Sequence, residues 1–220
     1  MKTDYTHITV ILDRSGSMQE IRGDVIGGFN AFLAEQQATE GLATLSLVQF
    51  DTQDPYEVIH SFKLLPAIPQ LTHTTYVPRG GTPLLDAMGH AINDLDASLS
   101  VMQEKDRPAQ VVVVTITDGQ ENSSREFNRA VISRMIAEKQ ERSHWQFVFL
   151  SADLNAINDA MHYGVRHGST LAFDKSALGS QQAFASVSSN VASYRRREKA
   201  DMDFTPEDRS KHEAEKRRGK

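Results

Sequence analysis

Apolar residues along this chain alternate between short continuous runs and stripes with helical spacing. The runs at 111–114 and 147–150 are apolar on both faces, as expected for central parallel strands that are covered by helices on each side. The predicted strands are 8–12, 43–50, 57–62, 111–117, 145–150 and 170–173. The connection before 57–62 is too short for a helical crossover, so this mixed segment should be an antiparallel edge strand.

Helices are predicted between these strands, where apolar residues recur at three- and four-residue intervals. The three stripes are Ile21, Val25, Phe29 and Phe32; Leu84, Met88, Ala91, Ile92, Leu95 and Leu99; and Phe184, Val187, Val191 and Tyr194. The segment 63–79 has no clear period and is predicted to be a long surface loop. The pattern predicts an α/β fold: a doubly wound, mostly parallel six-stranded sheet with one antiparallel edge strand and helices on both faces, as in Rossmann-like proteins.

Composition narrows the class of protein that these elements can form. The 220 residues include no cysteine, which excludes disulfides, thiolate zinc sites and thiol nucleophiles. No apolar stretch approaches the roughly 20 residues that a membrane helix requires, so we expect no membrane partner. The polar start lacks the features of a secretory signal, and we therefore expect a cytoplasmic protein.

Charge is distributed unevenly along the chain. Ten basic and seven acidic residues lie between Arg195 and Lys220, so the net charge of −5 leaves −8 on residues 1–194. An acidic body argues against nucleic acid as a partner, because such binding depends on clustered cations. We expect one domain at 1–195 and a charged, disordered tail at 196–220, which has too few apolar residues to order itself.

Three segments carry oxygen-bearing side chains to the same edge of the predicted sheet. Asp13, Ser15 and Ser17 follow the first strand, and Asp118 follows the strand at 111–117. Thr82 precedes Pro83, which suits a first helical position, so Thr82 is a candidate helix cap. Ligands bind at the carboxyl ends of strands in such sheets. Carboxylates and hydroxyls are hard ligands, so the five residues predict a divalent metal site, with Mg²⁺ the expected ion and Mn²⁺ or Ca²⁺ as alternatives.

The order Asp-x-Ser-x-Ser, then Thr before a helix, then Thr-Asp-Gly after a strand, resembles the metal-ion-dependent adhesion site of von Willebrand factor type A domains. The resemblance covers about residues 5–194, and Gly-Gly-Thr-Pro-Leu-Leu-Asp-Ala and Thr-Asp-Gly-Gln-Glu-Asn are similar to the family's bacterial intracellular branch. It implies that Asp13, Ser15, Ser17, Thr82 and Asp118 are metal ligands and that a partner's Asp or Glu carboxylate completes the coordination. It also implies a non-enzymatic subunit or adaptor, of the kind found beside ATPases, kinases or chelatases.

Four further residues are predicted to form a rim that contacts the partner: Arg14, His73, Gln120 and Glu121. Two other functions stay open at this point. One is a Mg²⁺-dependent phosphatase or phosphotransferase that uses Asp13 as its nucleophile, although dehalogenase-type phosphatases carry a second aspartate where this chain has Ser15. The other is a structural domain whose metal only makes the edge of the sheet rigid.

Overall fold

The structure is a computed structural model that describes residues 2–210, with side chains from residue 4 onward. Its strands are β1 (Lys2–Asp13), β2 (Leu42–Phe50), β3 (Glu57–Leu64), β4 (Pro108–Thr117), β5 (Gln146–Ser151) and β6 (Thr170–Ala172). Its α-helices are α1 (Arg22–Ala38), α2 (Leu84–Val101), α3 (Arg129–Ser143), α4 (Leu154–His162) and α5 (Ala177–Arg195).

The six strands form one sheet in the order β3-β2-β1-β4-β5-β6. Every neighbouring pair is parallel except β2 and β3, which run antiparallel at one edge. The fold class predicted from the sequence is thereby confirmed. The order reverses at β1, because β2 lies on one side of it and β4 on the other. The carboxyl ends of β1 and β4 therefore border the crevice in which such sheets bind ligands.

The core consists of two apolar layers, one on each face of the sheet. Ile8, Val10 and Leu12 of β1 pack in the layer that includes α1 and α5. Ile11 of the same strand packs in the opposite layer with α2, α3 and α4. Side chains of a strand point alternately to its two faces, so β1 contributes to both layers. No helix in the described part of the chain has the length and apolar character needed to cross a bilayer.

The connection from β3 to α2 is not the surface loop that was predicted for 63–79. Leu65, Ile68, Leu71 and Tyr76 are all buried in the layer that contains α1. Asn30 of α1 anchors the connection, since its amide donates to the Leu71 carbonyl (2.9 Å) and accepts from the Leu71 N–H (2.8 Å). Irregularly spaced apolar residues can thus fill a core without any regular period that would reveal them.

The free edge strand β3 is irregular. Its pairing with β2 shifts register twice between Leu45 and Val48. Phe62 has a φ of 44°, which is uncommon for an aromatic residue. Its ring stacks on the buried ring of His7, with 3.8 Å between the ring centroids. The register shifts form a β-bulge in this edge strand. The bulge turns Phe62 toward β1 and interrupts the regular ladder of the edge.

The described part of the predicted tail, residues 196–210, differs from the expectation of disorder. Met202 and Phe204 are buried in the core layer beside α5. The Phe204 N–H donates to the Gly168 carbonyl (2.8 Å), and the Met202 carbonyl accepts from the Asn190 amide (2.7 Å). Two apolar residues are enough to order this segment because they pack against apolar surface that the rest of the domain already provides. Residues 211–220 of the predicted tail lie outside the described residues.

Arg195 joins the last turn of α5 to the end of α1. Its guanidinium donates to the carbonyls of Gln36 (2.6 Å), Thr39 (3.1 Å) and Gly41 (3.2 Å). The residue is almost fully buried, and burial lowers its pKa to about 10. Arg195 is therefore still charged at neutral pH, and it satisfies carbonyls that the end of a helix leaves without partners.

The variant Arg195→Met should lose about 3 kcal/mol of unfolding free energy, because three carbonyls near the end of α1 lose a charged donor. Urea denaturation measures the change. The matched control is Arg196→Met, which removes the exposed neighbouring guanidinium and should leave the midpoint almost unchanged. Equal midpoints for the two variants would contradict this role of Arg195.

Candidate metal centre

Three loops meet at the carboxyl edge of the sheet. Asp13 ends β1, and Asp118 directly follows β4, its neighbour in the sheet. The Gly16 N–H donates to the Gly80 carbonyl (2.9 Å), which joins the loop after β1 to the segment before α2. Gly80 has a φ of 66°, a conformation that glycine adopts at little cost. The two glycines thus allow both loops to approach closely.

Four of the five predicted ligands form one hydrogen-bonded network. The Ser15 N–H donates to Asp13 Oδ1 (2.6 Å), and the hydroxyl oxygens of Ser15 and Ser17 lie 3.1 Å apart. The Ser17 hydroxyl donates to Asp118 Oδ1 (2.6 Å). The alternate spacing at 13, 15 and 17 therefore brings these side chains together with Asp118, as the sequence predicted.

Asp13 is fully buried, and both its carboxylate and its main-chain carbonyl are held by hydrogen bonds. Thr117 donates its hydroxyl to Oδ2 (2.6 Å), while Tyr76 donates its hydroxyl to the Asp13 main-chain carbonyl (2.6 Å). Burial raises the pKa of Asp13 to about 7, although the hydrogen bonds from Thr117 and Ser15 act in the opposite direction. A cation beside this carboxylate would favour its charged form.

Thr82, the fifth predicted ligand, is buried and held by main-chain contacts. Its N–H donates to Asn122 Oδ1 (3.0 Å), and the Asn122 N–H donates to the Thr82 carbonyl (3.2 Å). This reciprocal pair connects Thr82 to the loop that contains Asp118. The prediction that Thr82 caps α2 was wrong by one residue, because Pro83 occupies the cap position.

Arg14 does not belong to a partner-facing rim. It is buried, and its Nε lies 2.5 Å from Asp51 Oδ2. It also pairs with Glu57, while Arg79 Nε contacts the same Asp51 oxygen at 2.9 Å. These two arginines and two acids form an ion network behind the loop at 13–17. The prediction that Arg14 belongs to a rim that contacts the partner is therefore wrong.

The other three predicted rim residues have different surroundings. Glu121 is tied to the start of α2, because its Oε2 accepts the Leu85 N–H (2.9 Å), a first-turn donor that the helix itself leaves without a partner. Gln120 is exposed, and its amide donates to Asp153 Oδ2 (3.0 Å). His73 is also exposed. For Gln120 and His73, contact with a partner stays a prediction.

Lys175 reaches the site although nothing in the sequence pattern pointed to it. It lies between β6 and α5, and its Nζ is 3.0 Å from Asp118 Oδ2. That oxygen is buried and accepts no hydrogen bond, so the ammonium group approaches it from a direction outside hydrogen-bonding geometry. Tyr76 was also missed, because a lone tyrosine in an irregular segment gives no sign of its contact in the folded chain. Thr117 was noted only as part of the Thr-Asp-Gly motif, and its hydrogen bond to Asp13 was not predicted.

The donor set fits a hard divalent cation. Asp13, Asp118 and the nearby serines supply carboxylate and hydroxyl oxygens, and Asp118 Oδ2 has lone pairs that no hydrogen bond uses. Among residues 2–210, no group of three His, Cys, Asp or Glu side chains is placed to hold a metal. Any ion here would depend on the hydroxyls and on water, which is the coordination that Mg²⁺ accepts most readily.

Comparison with solved structures places this fold among von Willebrand factor type A domains. Proximal thread matrix protein 1 from the mussel byssus, solved with zinc in its MIDAS motif, matches 86% of this chain and 46% of its own, with a TM-score of 0.58 and 14% identity. A von Willebrand factor type A protein from Catenulispora acidiphila matches 86% of this chain and 43% of its own, with a TM-score of 0.56 and 14% identity. Manganese-loaded TRAP protein from Plasmodium vivax matches 83% of this chain and 71% of its own, with a TM-score of 0.53 and 15% identity.

These likenesses establish the fold alone, because the identities are low. The chain spans less than half the length of the first two proteins. No protein-family model matches the sequence, and no curated protein matches it.

Proposed function

We propose that this domain is a metal-dependent protein-interaction module whose centre consists of Asp13, Ser15, Ser17, Thr82 and Asp118. The observation that carries the proposal is the network joining both aspartates to the two serines, with one buried Asp118 oxygen that accepts no hydrogen bond. Mg²⁺ is the expected ion, since the donors are hard oxygens. Mn²⁺ and Ca²⁺ are the alternatives.

The ion would supply Lewis acidity toward an anionic oxygen of the partner. The chain's own residues would hold the ligands of the ion in position. Thr117 and Tyr76 fix Asp13, Ser17 fixes Asp118, and Asn122 fixes the main chain at Thr82. Such support keeps ligands in position before binding, which lowers the cost of ordering them. The partner class that suits this centre is a protein that presents an Asp or Glu carboxylate.

The surroundings of Asp13 favour binding over catalysis. A phosphatase or phosphotransferase would need an exposed Asp13 oxygen that can reach phosphorus, whereas a metal ion needs only a lone pair that the hydrogen bonds leave unused. Here Oδ1 accepts the Ser15 N–H and Oδ2 accepts the Thr117 hydroxyl, and the carboxylate is fully buried. We therefore propose a non-enzymatic role.

The wider assignment follows from the sequence resemblance and is part of the proposal. We infer a complete metal-ion-dependent adhesion site, a protein of the bacterial intracellular branch and a cytoplasmic location. The domain would act as a subunit or adaptor of a larger assembly, such as one built around an ATPase, a kinase or a chelatase.

The decisive variant is Asp118→Asn, which keeps the shape of a proposed ligand but removes its charge. Loss of even a supporting residue in metal sites costs roughly 10- to 100-fold in affinity, so Asp118→Asn should weaken Mn²⁺ binding by at least about tenfold. Titration calorimetry with Mn²⁺ and Mg²⁺ measures the change. The matched control is Asp106→Asn, which removes an exposed carboxylate just before β4, at the opposite end of that strand from Asp118, and should change affinity by no more than about twofold.

Partner binding is tested by capture on immobilised domain in Mg²⁺, in EDTA and with Asp118→Asn. A partner that needs the metal should be retained only by the wild-type domain in Mg²⁺. Equal retention under all three conditions, or wild-type protein that binds neither ion, would exclude the proposed function.

A further inference from the structure

The cation at Asp118 differs from the other cations near the site. Arg14 and Arg79 are both occupied by the buried carboxylate of Asp51. Lys175 instead contacts Asp118 Oδ2, and its side chain is 40% exposed, whereas the Asp118 side chain is fully buried. A lysine is a compact charge on a flexible stem, so it can leave a contact without disturbing its neighbours.

Asp118 needs such a counter-ion in the folded protein. Its Oδ1 accepts from Ser17, but its Oδ2 accepts no hydrogen bond. An unpaired buried carboxylate is costly, and the Lys175 ammonium group offsets that cost. Asp153 also has a favourable electrostatic interaction with Lys175.

We propose that Lys175 is a displaceable counter-ion that competes with the divalent cation for Asp118 Oδ2 and so sets the ion concentration at which the centre fills. The inference rests on the proposed function, because it assumes that Asp118 is a metal ligand. Lys175 then acts as a positioned competitor, and its removal makes the centre easier to load.

The test compares Lys175→Met with wild type and with Lys175→Arg. Methionine keeps an unbranched stem without the charge, so Mn²⁺ affinity measured by calorimetry should rise roughly threefold to tenfold. Lys175→Arg should stay close to wild type. The matched control is Lys139→Met, which removes a largely buried lysine of α3 that pairs with Asp96 of α2, and it should leave Mn²⁺ affinity unchanged.

A second readout does not depend on metal affinity. In EDTA, Lys175→Met should melt at a lower temperature than wild type, because Asp118 loses its counter-ion, and saturating Mg²⁺ should close the difference. NMR of the lysine side chains should show the Lys175 signals shifting as Mg²⁺ is added, while those of Lys139 stay unchanged.

The outcomes separate this inference from the function beneath it. If wild type binds Mn²⁺ but Lys175→Met binds it with equal or lower affinity, the competition is disproved and the metal centre stands. If wild type and all variants fail to bind Mn²⁺, the proposed function fails, and the inference fails with it.

Discussion

Replacing Asp86 with alanine should lower the unfolding free energy by on the order of 4 kcal/mol. The Asp86 carboxylate is buried at the start of α2 and accepts three main-chain N–H groups, from Arg125 (2.8 Å), Glu126 (3.0 Å) and Phe127 (2.8 Å). Alanine leaves all three donors without their charged acceptor. Chemical denaturation monitored by circular dichroism measures the loss.

The controls for Asp86 separate hydrogen bonding from the helix dipole. Asp24 occupies the first turn of α1, so Asp24→Ala removes a comparable dipole interaction, which is worth about 0.3–1 kcal/mol. Asp86→Asn keeps one carbonyl acceptor and should fall between wild type and Asp86→Ala. The same loop carries Asn122, which holds Thr82, so Asp86→Ala should also weaken Mn²⁺ binding. Losses of equal size for Asp86→Ala and Asp24→Ala would contradict the prediction.

Acidification should destabilise the protein through His7. This imidazole is fully buried on β1, where it bonds to the hydroxyls of Thr44 (2.9 Å) and Thr9 (3.1 Å) and stacks on Phe62, and none of these neighbours carries a charge. Burial lowers the pKa of His7 from 6.5 to about 3. Between about pH 6.5 and pH 3, the unfolded chain therefore binds a proton at His7 that the folded protein does not bind.

The sign of the effect follows from the lowered pKa. The contribution of His7 is fully present above about pH 6.5 and is lost as the pH falls toward about 3. The total is on the order of 5 kcal/mol, since the pKa falls from 6.5 to about 3 and each unit of difference corresponds to about 1.4 kcal/mol. Urea midpoints measured between pH 7 and pH 4 should therefore fall less steeply in His7→Gln than in wild type. His73→Gln removes an exposed imidazole and should follow wild type; if His7→Gln does so as well, the assignment is wrong.

The sheet was predictable because its strands carry their pattern locally. Runs such as 111–114 are apolar on both faces, and the short connection to 57–62 fixed the direction of β3. Two helices were missed for physical reasons. The 15-residue helix α3 buries only Ile132 and Ile136, so no apolar stripe marks it, and α4 has only nine residues. Helix α3 has only a weak apolar period, and it begins at Asn128, whose side-chain oxygen accepts the Val131 N–H as a cap.

The sequence predicted the proposed ligands of the candidate centre but not the residues that hold them in place. Alternating oxygen donors at 13, 15 and 17 follow a strand end, which places them by local geometry, and their metal role stays a prediction. Tyr76 and Lys175 reach the same edge from distant segments, and their contacts exist only after the chain has folded. Arg14 was misassigned because an exposed charge and a buried, paired charge look alike in a sequence.

The bulge at Phe62 also limits the pairing of other chains with the free edge of the sheet. A regular free edge strand offers its unpaired N–H and carbonyl groups to any extended peptide. Here the register shifts in β3 break that ladder. At the other end of the sheet, β6 has only three residues, and Phe204 occupies the Gly168 carbonyl just before it. Sheet extension between copies of the domain is therefore disfavoured at both margins, and a partner of the proposed kind would bind at the surface around Asp118 rather than along the sheet.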